Sequence, residues 1–357
     1  MSETSPAKPA FLSYLHSFRG FAILNIVAVH AFAFAIWDFK SLTFIASEVL
    51  FHNSTIYFAL ISGLLYTTVL KTNGYQRFYI SKFKFVVLPY LFFTLLYTVF
   101  DNKADAFFAY QTSLVNYLSD LPRNFLYGKA FFVLWYIPVL LFLYVITPLL
   151  DYIMQIKKLG PALMAIAVAI PLFVRREEII ELYKGDFLSI HNMVYFTGAY
   201  AAGMYLASNL KANLEKIGKY KILLLLLVVV STATLAFVSL KEIDRVGLFS
   251  IQSSLYYVQK LAFSFLVLMW FNNMGQNQPK WLQPIATDAF AIYFLHALFL
   301  AIFIGWFGNF TLFQPIIKYN AVLGGVFVLV SSIASSMLVT RLLRRIFGRY
   351  SRMIVGS

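Results

Sequence analysis

No cysteine occurs in the 357 residues, so disulfides, thiolate metal sites and a cysteine nucleophile are excluded. Charge is scarce as well: Asp, Glu, Lys and Arg together make only 12% of the chain, and acidic residues number 15 against 29 basic ones. A soluble globular domain carries about 25% charged residues, so an ordinary soluble enzyme is excluded, and so is a disordered chain, which needs high charge and low hydrophobicity. What fills the space is apolar. Hydrophobic residues make 61% of the chain, with 38 Phe and 23 Tyr, and the mean hydropathy is +0.75. An outer-membrane barrel alternates polar and apolar residues and gives only a weak hydropathy signal. The composition therefore predicts an all-α, polytopic membrane protein. In a soluble chain the net charge of +14 would suggest nucleic acid; here it is read as lysine and arginine retained in cytoplasmic loops, with the lipid bilayer as partner.

A bilayer core of about 30 Å requires about 20 apolar residues per helix. Ten stretches qualify, at 18–37, 44–70, 83–100, 130–150, 160–174, 190–208, 221–240, 250–272, 285–307 and 319–341. The fifth is short and carries Pro161 and Pro171. The even-numbered loops and both tails hold most of the basic residues, including Lys71, Arg77, Lys82, Lys84, Lys211 and Arg344. In the odd-numbered loops, residues such as Lys103, Arg175, Arg176 and Lys184 are interleaved with Asp101, Glu177, Glu178 and Asp186. The positive-inside rule then puts both termini in the cytoplasm, which fits an even number of spans. The whole of 1–357 reads as one integral-membrane domain, with a flexible tail at 1–10 and a basic tail at 342–357. The aromatic-rich segment 101–129 is expected to lie against the membrane.

An ionisable group at the centre of a span costs at least about 2.5–3.5 kcal/mol, so each one calls for an explanation. They are Arg19, His30, Glu48, His52, His191, Lys260, Asp288 and His296. Arg19 and His30 are eleven residues apart on one expected helix. That is close to three turns, which puts both on one face about 16 Å apart. A guanidinium at one end and an imidazole past mid-membrane would suit a long substrate with an anionic end. On spacing alone the plainer account is that Arg19 snorkels to lipid phosphates and His30 is a packing residue. His296 on its own reads as a satisfied structural donor. Lys260 fits either a substrate-lining role or an ion pair with Glu48 or Asp288. His52 has no second histidine at metal-ligand spacing. Trp135 and Tyr136 suit an interfacial belt or a sugar-stacking surface equally.

Several motifs together say more than spacing does. They are LHSFRGFAILNIVAVH (Leu15–His30), YFALISGLLY (Tyr57–Tyr66) followed by FYISKFKFVVLPYL (Phe78–Leu91), LWYIPVLLFLYVITPLL (Leu134–Leu150) and DAFAIYFLHALFL (Asp288–Leu300). In this order the chain resembles the acyltransferase 3 family of integral-membrane O-acyltransferases, most of which acetylate extracytoplasmic glycans. The resemblance implies that Arg19 and His30 are the functional first-helix pair, with His30 the catalytic base. It implies acyl-coenzyme A as a cytoplasmic donor substrate, with no permanently bound cofactor. The donor's phosphates would be met by Arg19, Arg77, Lys82 and Lys84. Ser62, Trp135, Tyr136, Lys260 and His296 would line the substrate, with Ser62 or Lys260 placed to stabilise an oxyanion. His16, Lys82, Lys84 and Tyr136 depart from the family pattern, which has an acidic residue, two arginines and a phenylalanine there. The expected activity is O-acetylation of a periplasmic or cell-surface carbohydrate, such as O-antigen or exopolysaccharide, by an enzyme of the cell inner membrane. Acceptor and acyl group stay open. The rival class is a proton-coupled transporter or flippase, although no internal repeat of the kind common in transporters is present.

Overall fold

The computed structural model describes residues 10–35, 40–71, 74–99, 113–176, 189–241, 243, 249–307 and 321–357. Every element among them is helical. The expectations for the tail at 1–9 and for the loop charges at Asp101, Lys103, Glu177, Glu178, Lys184 and Asp186 lie outside the described residues. Seven helices are long and apolar enough to cross a membrane: Ser13–Ala33, Leu42–Leu70, Gly74–Tyr97, Tyr136–Gln155, Lys221–Leu240, Ile251–Met274 and Val322–Val355. The other three expected spans are helical too. Gly160–Phe173 and Ala289–Phe303 are shorter apolar helices, and the third is Ile190–Ser208.

In chain order the helices are α1 (Ala10–Ala35), α2 (Leu42–Phe51), α3 (Thr55–Leu65), α4 (Gly74–Lys82), α5 (Leu88–Tyr97), α6 (Leu114–Tyr127), α7 (Tyr136–Gln155) and α8 (Gly160–Ala169). They continue as α9 (Ile190–Ser208), α10 (Leu210–Gly218), α11 (Lys221–Leu240), α12 (Ile251–Met274), α13 (Leu282–Thr287), α14 (Ala289–Phe307), α15 (Ala321–Phe347) and α16 (Ser351–Val355). α1 is the hub, packing on α2, α3, α12, α13, α14 and α15.

Two boundaries differ from the sequence reading in ways that matter. The second span is broken. Asn53 sits at φ 62, a left-handed conformation, and separates α2 from α3. Asparagine tolerates that region because its short polar side chain bonds locally or nearby; here its amide donates to the Tyr195 hydroxyl at 3.2 Å. The third helix begins earlier than expected. α4 runs through a π-helical turn, Phe83–Val87, into α5, so Arg77, Lys82 and Lys84 ride on a helix and not in a loop.

Small residues allow the closest crossing. A Cβ on Gly63 of α3 would stand 2.1 Å from the Tyr200 carbonyl oxygen, and one on Gly203 of α9 would stand 2.1 Å from that of Leu60. Backbones can approach this far in a membrane bundle only where the side chain is missing. Tyrosine hydroxyls brace other pairs. Tyr97 donates to the Phe294 carbonyl at 2.7 Å, Tyr195 to Ser253 at 2.7 Å, Tyr257 to Val168 at 2.8 Å and Tyr90 to Phe125 at 2.6 Å. Tyr293 donates likewise to Val133. α11, by contrast, leaves Ile222, Leu226, Val230 and Phe237 exposed, as a lipid-facing helix should. α6 exposes Leu114, Val115 and Leu118 while burying Asp120 and Asn124, an apolar outer face suited to a membrane surface.

Gly203→Ala is expected to lower the thermal unfolding midpoint of the purified protein, since overpacking costs about 1–3 kcal/mol. Gly218→Ala is the control, because its added Cβ would meet only the Met269 sulfur at 3.7 Å. Equal midpoints for the two variants would show that the α3–α9 crossing is not the tight contact described.

Candidate active site

α1 is one continuous helix, so Arg19 and His30 are held at the two ends of a rigid rod. At the His30 end, the break around Asn53 brings His52, Ser54 and Thr55 to the wall of a cavity of about 60 Å³, which His30, Trp135, Arg176 and Tyr293 also line. Irregular backbone at membrane depth is tolerated where it lines such a cavity. The volume holds a few waters or a short acyl group and not a sugar chain.

One wall is a run of polar groups. Arg176 is 5% exposed. Its NH1 lies 2.9 Å from His52 Nε2, and His52 Nδ1 lies 2.8 Å from Glu48 Oε2. A guanidinium can only donate. His52 Nε2 therefore accepts, and Nδ1–H donates to Glu48, which fixes the tautomer. Arg176 also stands 5.0 Å over the Trp135 ring, a cation–π contact strengthened by burial. On another side, the His30 and His296 ring centroids are 5.6 Å apart, and Phe132 meets His30 edge-on at 5.2 Å. His296 is fully buried. Its Nδ1 hydrogen bonds to the Ile292 carbonyl at 2.9 Å, so that nitrogen carries the proton. Nε2 is then an acceptor, and among the described residues it has no partner.

At the other end of α1, Arg19 Nε donates to the Ala286 carbonyl at 2.8 Å, and a terminal nitrogen donates to the same oxygen. Gly20 makes this reach possible: a Cβ there would stand 2.9 Å from the Leu282 side chain of α13. His16 Nε2 lies 3.2 Å from both the Gln283 carbonyl and the Thr287 hydroxyl. Asp288, between α13 and α14, takes Arg344 of α15 at 2.5 Å. Lys82 Nζ lies 4.4 Å over the Tyr144 ring, while Arg77 and Lys84 are exposed on the same helical segment.

The structure thus brings His30, His296 and Trp135 together at one end and Arg19 and Lys82 to the other. Three expected site residues are placed elsewhere. Lys260 donates to the Leu50 carbonyl at 2.6 Å, and Gln259 donates to the Val49 carbonyl at 3.2 Å. They satisfy the open carbonyls where α2 stops, a position that favours a cation. Neither expected ion pair of Lys260 forms, since Glu48 bonds to His52 and Asp288 to Arg344. Ser62, on α3, is not among the residues that line the cavity. Tyr136 is buried beside Trp135 with its hydroxyl unpartnered among the described residues. Sequence reasoning missed Arg176, which counted only as a loop charge. The i,i+4 spacing of Glu48 and His52 was the available signal for its partners.

A family model described as an acyltransferase domain matches residues 12–341, nearly the whole chain. No curated protein matches, and no solved structure does.

The Asp288–Arg344 pair ties α15 to the start of the helix that carries His296. Asp288→Asn and Arg344→Gln are each expected to destabilise by about 1–3 kcal/mol, the cost of a buried polar group left unmatched. The double variant should cost less than their sum. Strictly additive shifts of the thermal midpoint would show that the pair is not coupled.

Proposed function

Because the chain belongs to the acyltransferase 3 family and is a multi-pass membrane acyltransferase, we propose that it moves a short acyl group from cytoplasmic acyl-coenzyme A to a hydroxyl of a carbohydrate outside the cytoplasmic membrane. The acyl group proposed is acetyl, and the acceptor is a surface or periplasmic glycan such as O-antigen or exopolysaccharide. On this reading ten spans place both termini in the cytoplasm, with the Arg19 end of α1 inward and the His30 end outward. The observation that carries it is His30 opening onto a cavity of about 60 Å³ with His296 beside it. That size suits a two-carbon acyl group and leaves the larger parts of both substrates outside.

In the proposed reaction the pantetheine arm follows α1 from Arg19 toward His30. His30 takes the proton from the acceptor hydroxyl as its oxygen attacks the thioester carbonyl. The carbonyl becomes an oxyanion, for which Arg176 supplies nearby positive charge. Collapse re-forms the carbonyl, breaks the carbon–sulfur bond and expels the thiolate, which takes the proton from His30. The products are an ester and free coenzyme A. His296 has its acceptor nitrogen uncommitted because Nδ1–H is used on Ile292. It would receive an N–H from His30 directly or through one water, which leaves the other His30 nitrogen facing the substrate as base. This is the positioning role that a carboxylate plays in hydrolase triads. Trp135 walls the acyl cavity and carries Arg176 over its ring. Neither Ser62 nor Lys260 lines the cavity, and the proposed chemistry does not use them.

His30→Ala is expected to lower turnover of acetyl-coenzyme A by about 10²–10⁴-fold, the usual contribution of a general base, with an unchanged thermal midpoint. Full activity in that variant would sink the assignment. Arg19→Lys keeps the charge and loses the planar fork. It should raise KM for the acyl donor more than it lowers kcat, and an unchanged KM would remove Arg19 from the donor site.

A further inference from the structure

The family match ends at residue 341, yet the chain beyond it does not trail away. α15 continues to Phe347, the chain turns at Gly348 with φ +53, and α16 folds back against the bundle. α16 packs on α5, on the π-helical turn Phe83–Val87, on α14 and on α15. Ser351 and Val355 are buried. Gly356, at φ +78, fits where a Cβ would stand 2.2 Å from the Phe290 ring. Ser357 Oγ accepts the Ala291 backbone N–H at 3.0 Å, one of the amides at the start of α14 that the helix itself leaves unpaired. Apolar packing and a backbone hydrogen bond therefore hold this segment against the bundle.

What the segment delivers is Arg352. Its guanidinium lies 4.1 Å over the Phe85 ring. Phe85 belongs to the π-helical turn that begins directly after Lys82. Arg352 is close enough to repel both Arg19 and Lys82. The carboxylate that also reaches Arg19 is Asp288, and Arg344 bonds to it. Arg352 thus brings its positive charge toward both Arg19 and Lys82, an arrangement that a multiply charged anion would favour.

We propose that Arg352 is a third cation, with Arg19 and Lys82, of a site for a ligand bearing several phosphate groups, and that the ligand is the nucleotide end of acyl-coenzyme A. This rests on the donor reading above and adds to it a residue outside the family match. The guanidinium is half-stacked on Phe85 and exposed on its other side, so it can close over a phosphate after the nucleotide has entered.

The test is binding of coenzyme A to the full-length purified protein, in neutral detergent and in nanodiscs containing anionic lipid. Arg352→Gln should weaken binding about tenfold, equal to about 1.4 kcal/mol, in both settings. Arg352→Lys should recover part of the loss. Arg345→Gln, an exposed cation of α15, should change nothing. The difference should shrink as salt is raised. Unchanged affinity in Arg352→Gln overturns the proposal while leaving the donor reading intact. So does a loss confined to association with anionic lipid, which would make the phosphates those of headgroups. Failure of the wild-type protein to bind coenzyme A at all would overturn the donor reading and this inference together.

Discussion

The arrangement depends on the grip of Arg19 on the end of α13. Two of its donors converge on the Ala286 carbonyl, and the absent Cβ of Gly20 lets α13 come close enough for that. A carbonyl near a helix C-terminus carries partial negative charge, so the contact is favourable for a cation that must sit at a membrane boundary. It fixes α13 on α1, and α14 follows α13 after a single residue, Asp288. The register of α14 against α1, and with it the approach of His296 to His30, is therefore set some three turns away from either histidine.

A second constraint is the broken second span. Stopping α2 inside an apolar medium exposes carbonyls that lipid cannot satisfy. Gln259 and Lys260 come from α12 to meet two of them. The gain is a short stretch of irregular backbone at Asn53, and with it a polar-walled cavity where a continuous helix would have filled the space. Lys260 thus meets the end of α2 and is not among the residues that line the cavity. The same division runs through the other buried polar groups. Those that meet backbone ends build the frame, and others, His30 and Arg176 among them, line the cavity.

Much of this was legible in the residues. Hydropathy located the seven helices that are long and apolar enough to cross a membrane, because burial in lipid writes a strong local signal. The helical repeat placed Arg19 and His30 on one face, and α1 is unbroken as that argument required. The partners of these residues were not legible. Lys260 was expected to line the substrate or to pair with a carboxylate, whereas it meets the carbonyl end of a helix that stops at the polar run His52–Thr55. Arg176 sits in a charged stretch and is drawn into the cavity wall by His52, a residue 124 positions away. The stretch 342–357 reads as a basic tail by composition, yet Val355 is fully buried. In each case the deciding contact joins segments distant in sequence, and local pattern cannot report it.

The tyrosine braces have a consequence for how such a sequence can drift. Each hydroxyl of Tyr97, Tyr195, Tyr257 and Tyr293 is received by a main-chain oxygen. Any amino acid at position 294, 253, 168 or 133 presents that same oxygen, so the tyrosine constrains its own position and leaves the identity of its partner free. Correlated substitution between two columns of an alignment, the usual trace of a tertiary contact, would be weak at these helix pairs even though the bonds hold them together. Contact inference from covariation would accordingly find the side-chain pair Asp288–Arg344 more readily than the tyrosine links.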